Sequence, residues 1–111
     1  MDDKDIKNLG KILKHAKDIV KETENINNSE DFKNNNDKSK AALFDLLQIG
    51  ELTKDCLSSE VYKEIDNIPW KDIYNLRNRI VHGYSAVDYM IIWETIKNDI
   101  PKLINEIEKV L

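Results

Sequence analysis

Arg77, Asn78, Arg79 and His82 stand close together near the C-terminal third of the chain, and Tyr84 comes two places later. These residue types are suited to cleaving a phosphodiester. A histidine with a pKa near neutrality can take a proton from a ribose 2′-hydroxyl or return one to a leaving oxygen. An arginine can hold the phosphate and offset the added negative charge of a pentavalent transition state. Asn78 can orient either the imidazole or the phosphate. Such a site needs no metal, and the sequence shows no evident carboxylate cluster to bind one. Of the seventeen basic residues only Arg77 and Arg79 are arginine; every other one is lysine.

The element that must position these residues is a helix opening at Pro69, where a first-turn proline belongs, and stopping at Gly83, a residue suited to the position past a helix end. Projected at about 100° per residue, Trp70, Ile73, Tyr74, Ile80 and Val81 fall on one side with Arg77 among them. A guanidinium cannot shed its charge, so a carboxylate, a phosphate or a wet interface must receive it there. His82 lies about 140° from Arg77 around the same helix, flanked by Asn78 and Arg79. The length of the arginine side chain and the helix end at Gly83 allow the two to converge.

The remaining elements are also helical. Residues 2 to 26 carry Ile6, Leu9, Ile12, Leu13, Ala16, Ile19 and Val20 at amphipathic spacing. His15 stands one residue from this stripe; with no second histidine or cysteine nearby no metal role is expected of it, and it reads as a surface histidine. Residues 27 to 39 are a polar break in which Phe32 is the only large apolar residue, expected to pin the loop to the bundle. A second helix, about Asp37 to Leu57, is apolar over more of its circumference, which suits a central helix or an oligomer interface. Gly50 inside it costs about 1 kcal/mol relative to alanine, a cost accepted where another helix approaches closely. Ser58 or Ser59 can cap a short helix from Glu60 to Asp66, and Asp88 a last helix to Leu111, kinked or split by Pro101. Trp70 and Trp93, at helical spacing among aliphatic residues, read as core. The expected class is all-α: one domain over residues 1–111, an up-and-down bundle of four long helices and one short one.

With 111 residues and a formal net charge of −4, the chain is no electrostatic sponge for nucleic acid. Arg77, Arg79, Lys71 and Lys63 form a modest patch, suited to gripping one or two phosphates. The single cysteine, Cys56, excludes an intrachain disulfide and a Cys-based zinc cluster and reads as a small buried hydrophobe. No secretory signal or membrane span is evident, so a cytoplasmic location is expected.

Arg77 to Tyr84, RNRIVHGY, matches the pattern Arg, four residues, His, any residue, Tyr of the HEPN superfamily, and in particular resembles its HepT-like toxins. LLQIGELTK resembles the family's second helix around its Ile-Gly-Glu, and IPWKDI the approach to its motif helix. VDYMIIWETIKNDIPKL resembles the segment C-terminal to that helix. The similarity runs from about Ala41 to near the C-terminus.

The resemblance implies a five-helix bundle that dimerises, bringing two copies of the motif to one cleft, and a metal-independent endoribonuclease without cofactor. His82 would be the catalytic acid or base, Arg77 the phosphate-binding residue, Asn78 the polar residue that often comes after it, and Arg79 an added phosphate contact. A shared cleft would also keep Arg77 hydrated or paired. HepT-like toxins are commonly paired with a small nucleotidyltransferase antitoxin that transfers AMP from ATP to the motif tyrosine, here Tyr84. Bulk and negative charge beside His82 would then block the cleft and repel RNA. The other reading is a non-catalytic HEPN module that positions substrate for a partner nucleotidyltransferase.

Overall fold

The computed structural model describes residues 1–82 and 87–111, with the side chain of His82 left out. All regular structure among them is helical. The apolar stripe of α1 (Asp3–Thr23) is buried through Leu9, Ile12, Ala16 and Ile19, and Asp2 caps the helix by accepting the Asp5 amide at 2.7 Å. α1 packs on α3 (Asn36–Asp55), whose Ala42, Leu46 and Ile49 are buried. α5 (Trp70–His82) covers another flank of α3 with Trp70, Ile73, Leu76 and Ile80. α7 (Ile100–Val110) closes the bundle on α1 through Ile100, Leu103 and Ile107. The wide apolar circumference of α3 therefore marks the central helix. No helix among the described residues is long and apolar enough to cross a membrane.

The polar break holds an element that its composition hides. Ser29–Asn34 form a six-residue helix, α2, capped by Asn28, which accepts the Asp31 amide at 2.9 Å. Its one apolar side chain, Phe32, is fully buried against Trp93 and Tyr89, with ring centroids 5.5 and 6.1 Å away. Propensity alone would not hold so short a helix. Burial of Phe32 does, so the expected pin is present and its seat is α6 (Tyr89–Glu94).

At α4 (Ser59–Glu64), Ser58 occupies the capping position without capping. Its hydroxyl donates to Asp5 Oδ2 at 2.6 Å and its amide to Asp5 Oδ1 at 3.0 Å, tying α4 to the start of α1. Cys56, expected to be buried, is half-buried at the end of α3, where its carbonyl accepts from the Asn8 side chain at 3.1 Å. The last helical stretch is split as Pro101 requires, through a π-helical turn, Thr95–Asp99. There the Ile100 amide reaches back to the Thr95 carbonyl, five residues away, and this wider turn precedes the proline that cannot donate.

His15, expected at the surface, is partly buried in the seam between α1 and α3, its Nδ1 2.9 Å from Asp45 Oδ1. Glu22, two turns further along α1, has its carboxyl raised to about 7 by burial and then by the neighbouring carboxylates of Asp45 and Asp18. A folded-state pKa above the unfolded one means that the native chain holds this proton more tightly. The stabilisation is complete below the unfolded value and is lost as pH rises through about 7. Glu22→Gln should therefore melt above the wild type at pH 8 and lose that advantage at pH 5, in thermal melts run with chelator.

Candidate functional site

The site begins with how closely α5 approaches α3. A Cβ added at Gly50 would overlap Cβ and Cγ of Arg77, the latter at 2.7 Å. Glycine is thus what lets the arginine stem lie across α3, and the helical cost of Gly50 has the cause expected of it. The N-terminal end of α5 is fixed by Trp70, whose Nε1 donates to the Ile65 carbonyl at 2.7 Å.

Past Gly50, the Arg77 guanidinium meets Glu51. Nε donates to Glu51 Oε1 at 2.7 Å and Nη2 donates to the same oxygen. Nη1 donates to Asn78 Oδ1 at 3.0 Å. Of the receivers the charge required, the one within the chain is a carboxylate. The pair is not sealed: the Arg77 side chain is 21% exposed and that of Glu51 37%. A guanidinium carries five N–H donors. With three engaged among the described residues, one remains on each terminal nitrogen to meet phosphate oxygens. In this arrangement Asn78 orients Arg77.

Lys54, one turn beyond Glu51 on α3, places its ammonium 4.9 Å from the centroid of the Tyr74 ring. Hydrogen bonding by Lys54, then by Asn78, holds the Tyr74 phenol below its usual pKa, and Tyr74 in turn raises Lys54. Around α5, Tyr74 and Asn78 lie at about 60° and 100° from Arg77, with His82 at about 140°. The arc between the two expected catalytic positions is therefore polar. His82 is the last residue of α5, about 7.5 Å along the axis from Arg77. Gly83 and Tyr84 lie outside the described residues, and nothing about the His82 side chain enters this geometry.

Arg79 goes elsewhere. It is exposed and lines a 250 Å³ hollow with Asp72, Asn75, Leu76, Ile91, Thr95 and Asp99, between α5 and the π-helical turn. Burial, followed by the charge of Asp72, raises the Asp99 carboxyl there. The structure thus joins Arg77 and Asn78 and sets Arg79 on a different face. Lys63 and Lys71 are exposed. Trp70 is buried and Trp93 packs against the core, as expected of both.

Sequence reasoning assigned no role to Glu51 or Lys54. The available signal was Gly50, since a mid-helix glycine marks a close approach and the acid beside it faces whatever approaches.

The model of the HepT-like ribonuclease family, "Ribonuclease HepT-like", matches residues 12–110. A candidate RNase of Methanocaldococcus jannaschii is 34% identical over 97 residues, which are 87% of each chain. A candidate RNase of Caldanaerobacter subterraneus subsp. tengcongensis is 33% identical over 103 residues, 93% of this chain and 90% of the relative. A Thermococcus cleftensis protein named "Probable ribonuclease HepT" is 34% identical over 61 residues, 55% of this chain and 54% of that one. No solved structure matches significantly. An all-helical bundle carrying the arginine and histidine of this motif on one helix, matched over nearly its whole length, defines the class: the chain belongs to the HepT-like ribonuclease family.

Gly50→Ala tests the packing. It should gain about 1 kcal/mol of helix propensity and lose about 1–3 kcal/mol to overpacking, so chemical denaturation should show net destabilisation. A more stable variant would mean that Arg77 does not lie across Gly50.

Proposed function

We propose that this protein is a metal-independent endoribonuclease toxin that acts in the cytoplasm as a homodimer, within a toxin–antitoxin pair. The observation that carries this reading is Arg77: a guanidinium held at a half-open surface by Gly50, Glu51 and Asn78, on the helix that ends at His82. Membership of a ribonuclease family supports RNA as the substrate.

In this mechanism Arg77 grips the scissile phosphate and stabilises the charge that builds on it as the ribose 2′-hydroxyl attacks. His82 takes the hydroxyl proton or supplies one to the leaving 5′-oxygen. Asn78 and Glu51 restrict the rotamers of Arg77, so that little ordering remains for the transition state. Two copies of the motif meet at one cleft in the dimer. The antitoxin is a minimal nucleotidyltransferase that transfers AMP to Tyr84, filling the cleft and repelling RNA.

A second reading is favoured by one observation: Glu51 neutralises Arg77 inside a single subunit, as a purely structural arginine would be neutralised. In that case the protein is a non-catalytic HEPN module positioning substrate for a partner nucleotidyltransferase.

His82→Ala separates the two. Under the first reading RNA cleavage and growth arrest are lost while helical circular dichroism is retained, and Arg77→Ala does the same, each by at least about a hundredfold in rate. Under the second, partner binding and phenotype are unchanged. Excess EDTA should leave cleavage intact; a metal requirement would contradict the proton-transfer chemistry. Tyr84→Phe should remain toxic and escape modification, read by intact mass after incubation with ATP and the antitoxin. An added AMP on that variant would remove Tyr84 from the regulatory role.

A further inference from the structure

Glu51 and Gly50 serve the flank of α3 that faces α5. The flank that faces α1 holds a second polar cluster, which the proposed reaction does not use. His15, Asp18 and Glu22 are spaced three and four apart on α1 and so share one face, and Asp45 reaches them from α3. The ligand atoms of His15, Asp18 and Asp45 all lie within 4.8 Å of one another, and Asp45 is 6% exposed. Glu22, half-buried on the same face, neighbours Asp45 and Asp18, and its Oε2 is enclosed. Among those residues none of the three carboxylates pairs with a lysine or arginine, and the ionic contact of the cluster is His15 with Asp45. Asp45 is enclosed beside one imidazole and two half-buried acids, and like charges held so close repel one another.

We propose that this seam binds one divalent transition-metal ion through His15 Nδ1 and the carboxylates of Asp18, Asp45 and Glu22, a structural site that clamps α1 to α3. One nitrogen and three oxygen donors suit Zn²⁺ or Mn²⁺, at about 2.0–2.2 Å from the ion. Tetrahedral donors at that radius stand about 3.4 Å apart, so the His15, Asp18 and Asp45 donors close by at most roughly 1.4 Å, within reach of side-chain rotation, and Glu22 swings in from farther as the fourth. An ion bound at His15 Nδ1 requires that nitrogen to be unprotonated, so the neutral ring carries its proton on Nε2 in the bound form. The site lies on a different flank of α3 from Arg77, so it bears on stability and not on the proton transfers of RNA cleavage.

The test uses the full chain, stripped with chelator and dialysed, titrated with ZnCl₂ or MnCl₂ by calorimetry and monitored by thermal melting. It needs no RNA, so its outcome is independent of the ribonuclease reading. Expected are one ion per chain, a rise in Tm of about 5 °C or more at saturating metal, and reversal by EDTA. Asp45→Asn and the more exposed Asp18→Asn should each weaken binding by at least about tenfold and lose the rise. His82→Ala should bind as the wild type does. Three results would overturn the proposal: no binding, a thermal shift that persists in both aspartate variants, or binding lost in His82→Ala.

Discussion

The contact on which this structure turns is the crossing of α5 over α3 at Gly50. Removing one Cβ from α3 lets the stem of Arg77 lie flat where any other side chain would hold the helices apart. That approach places Glu51 within reach of Nε and Nη2, and the ion pair fixes the guanidinium at a partly open surface. A buried ion pair is often no more stabilising than apolar packing of the same volume. Its value here is orientation, since it leaves a charged fork on the surface that a pair of aliphatic side chains could not supply.

α3 consequently carries polar work on two flanks of one apolar helix. Toward α5 it presents Glu51 and Lys54, and toward α1 it presents Asp45. Between these, Ala42, Leu46 and Ile49 are buried and hold the bundle together. In an acidic chain with a net charge of −4, the α5 flank gathers Arg77 and Lys54. A single phosphate can then be attracted locally although the molecule as a whole repels nucleic acid.

Much of the fold was legible because helical periodicity is local. The stripes of α1, α3 and α5, the proline that splits the last helix and the glycine that marks a close approach each depend on residues near one another in the chain. The short α2 was not legible, because Phe32 is its only apolar residue and the aromatic seat that holds it lies on α6, far along the sequence. Nor was the role of Ser58, whose capping chemistry is diverted to Asp5. At the candidate site, the motif pointed to Arg77 and Asn78, but the identity of the acid opposite depends on the rotation of α3 relative to α5, which no period encodes. The same limit applies to His15, whose partner Asp45 comes from another helix. Arg79 sits two residues from Arg77 in sequence, and on a helix that spacing turns it toward the hollow lined by Asp72 and Asp99.

In the proposed reaction the planar fork of Arg77, and not its charge alone, handles the phosphodiester. Arg77→Lys tests it most directly, because lysine keeps a positive charge and an aliphatic stem over Gly50 while losing the bidentate geometry. Measured as kcat/KM on an RNA substrate beside a thermal melt, the variant should stay folded and lose at least about a hundredfold in cleavage. Cleavage at the wild-type rate by a folded Arg77→Lys protein would show that a positive charge suffices and that the fork has no part in the reaction.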